Sequence, residues 1–182
     1  MFFLDEKVVY PGHGVAKIAR IVEKVIGNNV IKFFELRLIN KDMTVLVPID
    51  NVKAAGIRRL SSRENIDAVF RLLAQPAKRT IDHEVVGNNW NKRNKEYQVK
   101  LRTGNLIEIC KIYRDLKSIS CEKELSFGER ALLQQTEMLL AEEISAVKNF
   151  DENKALEHLR SLVTQQDIIG QAPVSSISQV QL

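Results

Sequence analysis

In the first 57 residues hydrophobic residues form short runs separated by turn-forming residues, and the segment 15–22 alternates apolar and polar residues in its first half. The period of two is typical of strands with one buried face. Pro11-Gly12-His13-Gly14, Gly27-Asn28-Asn29 and Asn40-Lys41-Asp42 separate the apolar runs. The predicted strands cover about 7–10, 15–22, 30–38 and 43–48, and a closing segment follows at 51–57. Four or five short strands in so few residues predict a small, strongly bent β-barrel of SH3 or Tudor type.

From residue 61 onward the hydrophobic period changes to that of helices. Ser61-x-x-Glu64 and Ser126-x-x-Glu129 read as capping boxes, Asn89 as a further cap, and Gly104 as a helix stop. The predicted helices run over about 61–75, 90–102, 105–118, 126–148 and 151–165, and a short helix could lie within 77–88. The fold class is therefore α+β, with a small SH3/Tudor-like β-barrel followed by an all-α helical bundle.

The change of period also gives the domain boundaries. The barrel takes residues 1–57, a linker takes 58–60, and the helical domain takes 61–166. Residues 167–182 contain Pro173 and many Ser, Gln and small residues, so we expect a flexible tail.

Composition narrows the class of protein without identifying it. Hydrophobic residues make up 45% and charged residues 27% of the 182 residues, which suits a globular protein with a packed core. The net charge is +4, but residues 134–182 contain three basic and seven acidic residues, so the basic excess lies in the first three quarters. That distribution permits a polyanionic partner.

Targeting and redox signals are weak. The apolar start of the chain ends at once in Asp5-Glu6, so we expect no signal peptide, and no run approaches the length of a membrane span. Cys110 and Cys121 lack the spacing of a disulfide framework or zinc site, which fits a reducing cytoplasm.

The segment 89–95, Asn-Trp-Asn-Lys-Arg-Asn-Lys, holds the single tryptophan beside three cations. With Lys100 and Arg102 it sets five basic residues against one acid, Glu96. Such a pattern suits DNA, because cations hold phosphates while a flat apolar ring presses on a base stack. The alternative is a core tryptophan on an amphipathic helix whose other face is solvated.

No arrangement of residues indicates catalysis. His13, His83 and His158 lie in three different elements, and Gly12-His13-Gly14 lacks the spacing of a phosphate loop. The adjacent acids Glu142 and Glu143 diverge on a helix, so we interpret them as solvated surface residues. We expect no enzymatic activity, no metal and no cofactor.

Several motifs, in order along the chain, resemble those of the CarD/CdnL family of bacterial transcription factors. The matching segments are Val8-Val9-Tyr10-Pro11-Gly12-His13-Gly14, Thr44-Val45-Leu46-Val47-Pro48, Asn89-Trp90-Asn91-Lys92-Arg93, Tyr113-Arg114-Asp115-Leu116 and Leu125-Ser126-x-Gly128-Glu129-Arg130. The match runs from residue 1 to about 165. Each motif alone is weak, but five in register form a specific signal.

The resemblance implies that the N-terminal domain binds the β subunit of RNA polymerase by strand addition to a barrel edge. The residues implied are Lys24, Thr44, Val45, Leu46, Val47 and Pro48. Leu46 is a departure, because some members carry arginine there. Pairing through backbone hydrogen bonds would survive that change, whereas an ion pair would not.

The resemblance also implies that the helical domain lies on promoter DNA at the upstream edge of the −10 bubble and stabilises the open complex. The residues implied are Trp90, Lys92, Arg93, Lys95 and Arg130. Asn94 stands where some members have an aromatic residue. The expected protein is a cytoplasmic, nucleoid-associated monomer that binds promoter DNA weakly and without sequence specificity when alone. Two alternatives remain open: a nucleic-acid-binding module independent of polymerase, and an enzyme with a scattered site.

Overall fold

The computed structural model describes residues 2–75, 90–149 and 151–170, with only the backbone described for 164–170. A five-stranded antiparallel sheet is followed by five helices, so the α+β two-domain prediction is confirmed. The predicted Asn89 cap, the short helix within 77–88, and residues 171–182 of the predicted tail lie outside the described residues. No helix in the described ranges is both long enough and apolar enough to cross a bilayer.

The sheet has the strand order β4-β3-β2-β1-β5, so β4 and β5 form its edges. Its strands are β1 (Lys7–Tyr10), β2 (Gly14–Ile26), β3 (Asn29–Leu38), β4 (Thr44–Pro48) and β5 (Arg58–Arg59). A register shift between Ile18 and Arg20 marks a bulge in β2, and a bulge increases local twist. The sheet bends around a core that includes Val8, Ile18, Phe34, Leu36 and Val47.

Strand β5 changes the interpretation of the segment 58–60. Arg58 and Arg59 were expected in a linker, but they pair with Val9 and Val8 of β1. The side chain of Arg58 also reaches the helical domain, where it binds Glu143. The segment between the domains is therefore held by hydrogen bonds on both sides.

The helical domain consists of α1 (Arg63–Ala74), α2 (Trp90–Thr103), α3 (Leu106–Glu122), α4 (Phe127–Lys148) and α5 (Glu152–Gly170). The capping box at Ser126 and Glu129 is confirmed, and Gly104 ends α2 with a φ of +65°. The first cap was wrong by one residue, because Ser62 rather than Ser61 caps α1. Helix α5 extends to Gly170, into the segment predicted as a tail.

The turn between β1 and β2 packs against the helical domain. The Val15 amide donates to Oε2 of Glu142 at 3.0 Å, and Gln135 Nε2 donates to the Gly12 carbonyl at 3.4 Å. A β-carbon on Gly14 would overlap the Glu142 carboxylate, so glycine is required there. The expectation that Glu142 and Glu143 are solvated was wrong: they are 5% and 2% exposed, because both carboxylates hold the sheet.

Candidate functional site

Strand β4 has a partner strand on one side only in the described part of the chain, and that partner is β3. The Leu38 amide donates to the Met43 carbonyl at 3.0 Å, which fixes the alternation of hydrogen bonds along this strand pair. Val45 and Val47 therefore direct their backbone groups at β3. Thr44 and Leu46 direct theirs away from the sheet, where an additional strand could pair.

The face of the sheet that carries the Leu46 side chain is cationic. Leu46 lies opposite Glu35 on β3, and Glu35 accepts from Arg20 Nε at 2.7 Å and from Arg37 at 3.4 Å. The Arg20 hydrogen bond is the main reason why the pKa of Glu35 lies below its usual value. Lys24 follows Arg20 by four residues, so it lies on this face, separated from β4 by β3. The structure thus brings Lys24 to the Leu46 face but not to the open edge of β4.

Trp90 begins α2 and is partly buried against the helical core. Its ring lies on the first turn of α4, where a β-carbon on Gly128 would be 3.1 Å from Cζ2 and 3.4 Å from Nε1. Glycine allows this close approach of ring and backbone. Part of the indole packs as a core residue would, and the remainder is open to solvent.

Arg93 lies one turn after Trp90, but it does not reach the surface. It is 4% exposed, and its Nη2 donates to Glu129 Oε1 at 2.9 Å. Its Nε has no hydrogen-bond partner among the described residues. Burial alone raises the pKa of Glu129, but hydrogen bonds from Ser126 and the nearby cations outweigh that effect, so the pKa is lowered. A buried, paired guanidinium is a poor phosphate ligand, so this position argues against the expected DNA contact of Arg93.

The remaining cations are exposed but do not surround the indole. On a helix with 100° per residue, Lys92 and Lys95 lie about 200° and 140° around α2 from Trp90. They therefore face away from α4. Arg130 is exposed on the first turn of α4, 3.7 Å from Glu124 at the surface. Trp90 and Gly128 form one surface, whereas Arg130 lies about 200° around α4 from Gly128, and Lys92 and Lys95 lie on another face of α2.

The sequence matches two family descriptions that together span the sheet and the helical domain. "CarD-like/TRCF RID domain" covers residues 2–61, and "CarD, C-terminal domain" covers residues 68–160, about half of the chain. The chain belongs to the CarD family. It is therefore related to transcription factors, and its sheet domain belongs to a class of RNA polymerase-interacting domains.

A CarD-family relative is found in Bacillus subtilis (strain 168), the "Putative transcription factor YdeB". It is 24% identical over 155 residues, which are 85% of this chain and 97% of the relative. A solution NMR structure of the 72-residue N-terminal domain of Myxococcus xanthus CarD is also similar. It is 29% identical, with a TM-score of 0.29, and covers 32% of this chain and 79% of that one. The assignment to the family depends on the two domain matches.

Several residues of this CarD-family chain became apparent only in the structure. Phe127 has no periodicity to distinguish it, yet its side chain is 86% exposed beside Gly128. Arg20 and Arg37 are about two-thirds exposed and flank Leu46 through Glu35. The sequence gave one indication of where Phe127 lies: the capping box at Ser126 and Glu129 placed Phe127 and Gly128 in the first turn of a helix.

Proposed function

We propose that the protein binds the β subunit of RNA polymerase through the open edge of β4 and stabilises the open promoter complex through its helical domain. The proposal is carried chiefly by one observation: Leu46 and Thr44 direct outward backbone groups that no other described strand pairs with, at the edge of a domain that belongs to a polymerase-interacting class.

The polymerase contact would extend the sheet by one strand. Backbone hydrogen bonds supply affinity in this mode, so it does not depend on an arginine at position 46. The exposed cations Arg20, Lys24 and Arg37 lie on the adjoining face, where they can meet acidic side chains of the partner. The interface would thus combine backbone pairing at Thr44–Pro48 with charge complementarity beside it.

The DNA contact would be made by the solvent-open part of the Trp90 indole at the upstream edge of the −10 bubble. Arg130, Lys92 and Lys95 are exposed on other faces of the same two helices, from which they would reach phosphates. Arg93 would act indirectly, because its ion pair with Glu129 holds the start of α2 against the start of α4.

Stabilisation of the open complex requires affinity for opened DNA in excess of affinity for the closed duplex. Opening costs about 1.4 kcal/mol per base-pair step, and a differential affinity of about the same size shifts the balance tenfold. A few phosphate contacts make a weak, salt-sensitive site. Attachment to polymerase would raise the local concentration enough for such a site to act.

A pair of substitutions at Leu46 tests the edge. Leu46→Pro removes the outward N–H while leaving the β3 hydrogen bonds, and Leu46→Ala removes the side chain but keeps that N–H. We expect Leu46→Pro to abolish capture of the isolated β subunit and Leu46→Ala to retain most of it. Val45→Pro would be uninformative, because it breaks the pairing with β3. Equal capture by both Leu46 variants would place the interface elsewhere.

The helical domain is tested by the lifetime of the open complex. Lys92→Ala with Lys95→Ala changes only exposed residues, so we expect shorter lifetimes with unchanged thermal stability. Trp90→Ala should shorten the open-complex lifetime further, while capture of the β subunit persists. Because Trp90 also packs on the core, each lifetime is compared with the melting temperature, and Trp90→Phe serves as the matched control. Tight, polymerase-independent binding to free nucleic acid would favour the stand-alone alternative.

A further inference from the structure

Phe127 is the most exposed large hydrophobic side chain in the described residues, at 86%. Exposure of a phenylalanine to water is unfavourable by roughly 2 kcal/mol relative to burial, so a ring kept in this position invites a functional explanation. It is the first residue of α4, directly before the glycine against which the Trp90 indole lies.

The backbone under Phe127 is held firmly. Ser126 Oγ accepts from the Glu129 amide at 3.3 Å, while Glu129 Oε2 accepts from the Ser126 amide at 2.9 Å. The same Glu129 binds the buried Arg93 of α2. Since these contacts fix the first turn of α4, Phe127 projects from a rigid support one residue before Gly128, on which the Trp90 ring lies.

Exposed charges of both signs lie near Phe127 in the sequence: Lys123 and Arg130 are cationic, and Glu124, 3.7 Å from Arg130, is anionic. Arg130 lies three residues after Phe127, about 60° from it around the helix, and is 58% exposed. Lys123, just before the helix, is also about half exposed. An exposed aromatic ring stacks with unpaired nucleobases, and cations on the same helix turn can hold the adjoining phosphates. Tyr97, the other aromatic residue of α2, is not exposed for such a contact, because it is buried and donates its hydroxyl to Asp115.

We propose that Phe127 is a second aromatic contact for DNA, stacking on an unpaired base next to the one that Trp90 meets. This inference rests on the proposed function and adds a residue to it. Gly128 separates the two rings along α4, so the rings would engage neighbouring positions of one opened strand. Arg130, about 60° from Phe127 around α4, would hold a phosphate on the far side of Phe127 from Trp90.

Site-specific cross-linking in the assembled polymerase–promoter complex tests the proposal. Phe127, Trp90 and Phe3 are each replaced by p-benzoyl-phenylalanine in the full chain; Phe3, 64% exposed in the sheet domain, is the matched control. We expect DNA cross-links from positions 127 and 90 at adjacent nucleotides, and none from position 3. DNA cross-links from position 90 alone would overturn the role of Phe127 but leave the proposed function standing. The absence of DNA cross-links from both positions would overturn the two together.

Open-complex lifetime provides a second readout. Phe127→Ala should shorten it about fivefold or more, because stacking on a base contributes at least that much to affinity. Phe127→Tyr should retain most of the lifetime. Phe127→Leu preserves apolar volume without the ring, so an unchanged lifetime in that variant would overturn stacking. Capture of the β subunit and the melting temperature should stay constant in all three variants, since the side chain contacts solvent.

Discussion

Arg58 of β5 and Glu143 of α4 form a two-point ion pair between the sheet and the helical domain. Nη1 and Nη2 of Arg58 lie 2.7 and 2.8 Å from the two carboxylate oxygens. Glu143 also accepts from the Ser61 amide at 2.8 Å, and Arg58 Nε donates to the Gly104 carbonyl at 2.8 Å. The pair thus satisfies groups from both domains at the point where the chain passes between them.

Loss of this pair should loosen the two domains. We expect Arg58→Ala to lower the free energy of unfolding by about 3 kcal/mol, because Glu143 is left buried without its counter-ion. Open-complex lifetime should fall more than β-subunit capture, since the edge strand is unaffected. Chemical denaturation and the two functional assays check this. The matched control is Arg59→Ala, which removes an exposed pair with Glu6 and should change stability by less than about 1 kcal/mol. Equal effects of the two substitutions would contradict the structural role of Arg58.

Glu142 should make stability depend on pH. Burial is the main reason why the pKa of its carboxyl lies above the usual 4.5. A raised folded-state pKa favours the protonated form in the native protein, so this contribution to stability is present below pH 4.5 and is lost as pH rises through the folded pKa. Glu142→Gln keeps an acceptor for the Val15 amide without the charge. We therefore expect it to raise the melting temperature at pH 7 and to lose that advantage as pH falls towards 4.5. If the difference in melting temperature between Glu142→Gln and the wild type instead grew as the pH fell, the pKa of Glu142 would not be raised in the folded protein.

Gly128 should control the position of the indole. Alanine in place of glycine within an exposed helix usually stabilises a protein by about 0.5–1 kcal/mol. Here the new methyl group would lie 3.1 Å from the Trp90 ring, so we expect that gain to be lost and the ring to shift. The chain contains a single tryptophan, so its fluorescence reports the shift directly. Unchanged emission together with increased stability would contradict the contact.

Arg93 should contribute to stability rather than to phosphate binding. We expect Arg93→Ala to lower the free energy of unfolding by about 3 kcal/mol, because it leaves Glu129 buried without its close counter-ion. Lys92→Ala, one residue earlier and exposed, should change stability by no more than about 0.5 kcal/mol. Thermal denaturation of the two variants makes the comparison. Arg93→Ala with wild-type stability and a shortened open-complex lifetime would restore the direct contact expected from the sequence.

Local sequence signals predicted most of the secondary structure. The Ser126 capping box, the Gly104 stop and the strand at 30–38 each depend on neighbours within a few residues, and each is confirmed. The burial of Glu142 and Glu143 could not be predicted in this way. Their partners Val15 and Arg58 lie 127 and 85 residues away, so no local period records them.

The residues of the candidate site show the same difference between local signals, which the sequence carries, and distant partners, which it does not. The motif around Trp90 was visible in the sequence, and so was the strand at Thr44–Pro48. Helical spacing could not reveal that Arg93 is buried, because its partner Glu129 belongs to another helix. The exposure of Phe127 was equally hidden, since a hydrophobic residue at a helix start is normally counted towards the core.

Helix α4 joins the two proposed contacts through a single rigid element. Gly128 near its start touches the indole, and Glu142 near its end touches the sheet, about 21 Å further along the axis at 1.5 Å per residue. If both proposed contacts are made, the distance between the polymerase and the melted strand would be set by this helix. A protein of fixed reach would contact the same promoter position whatever base is there. Promoters would therefore differ in their response according to how readily their own base pairs separate.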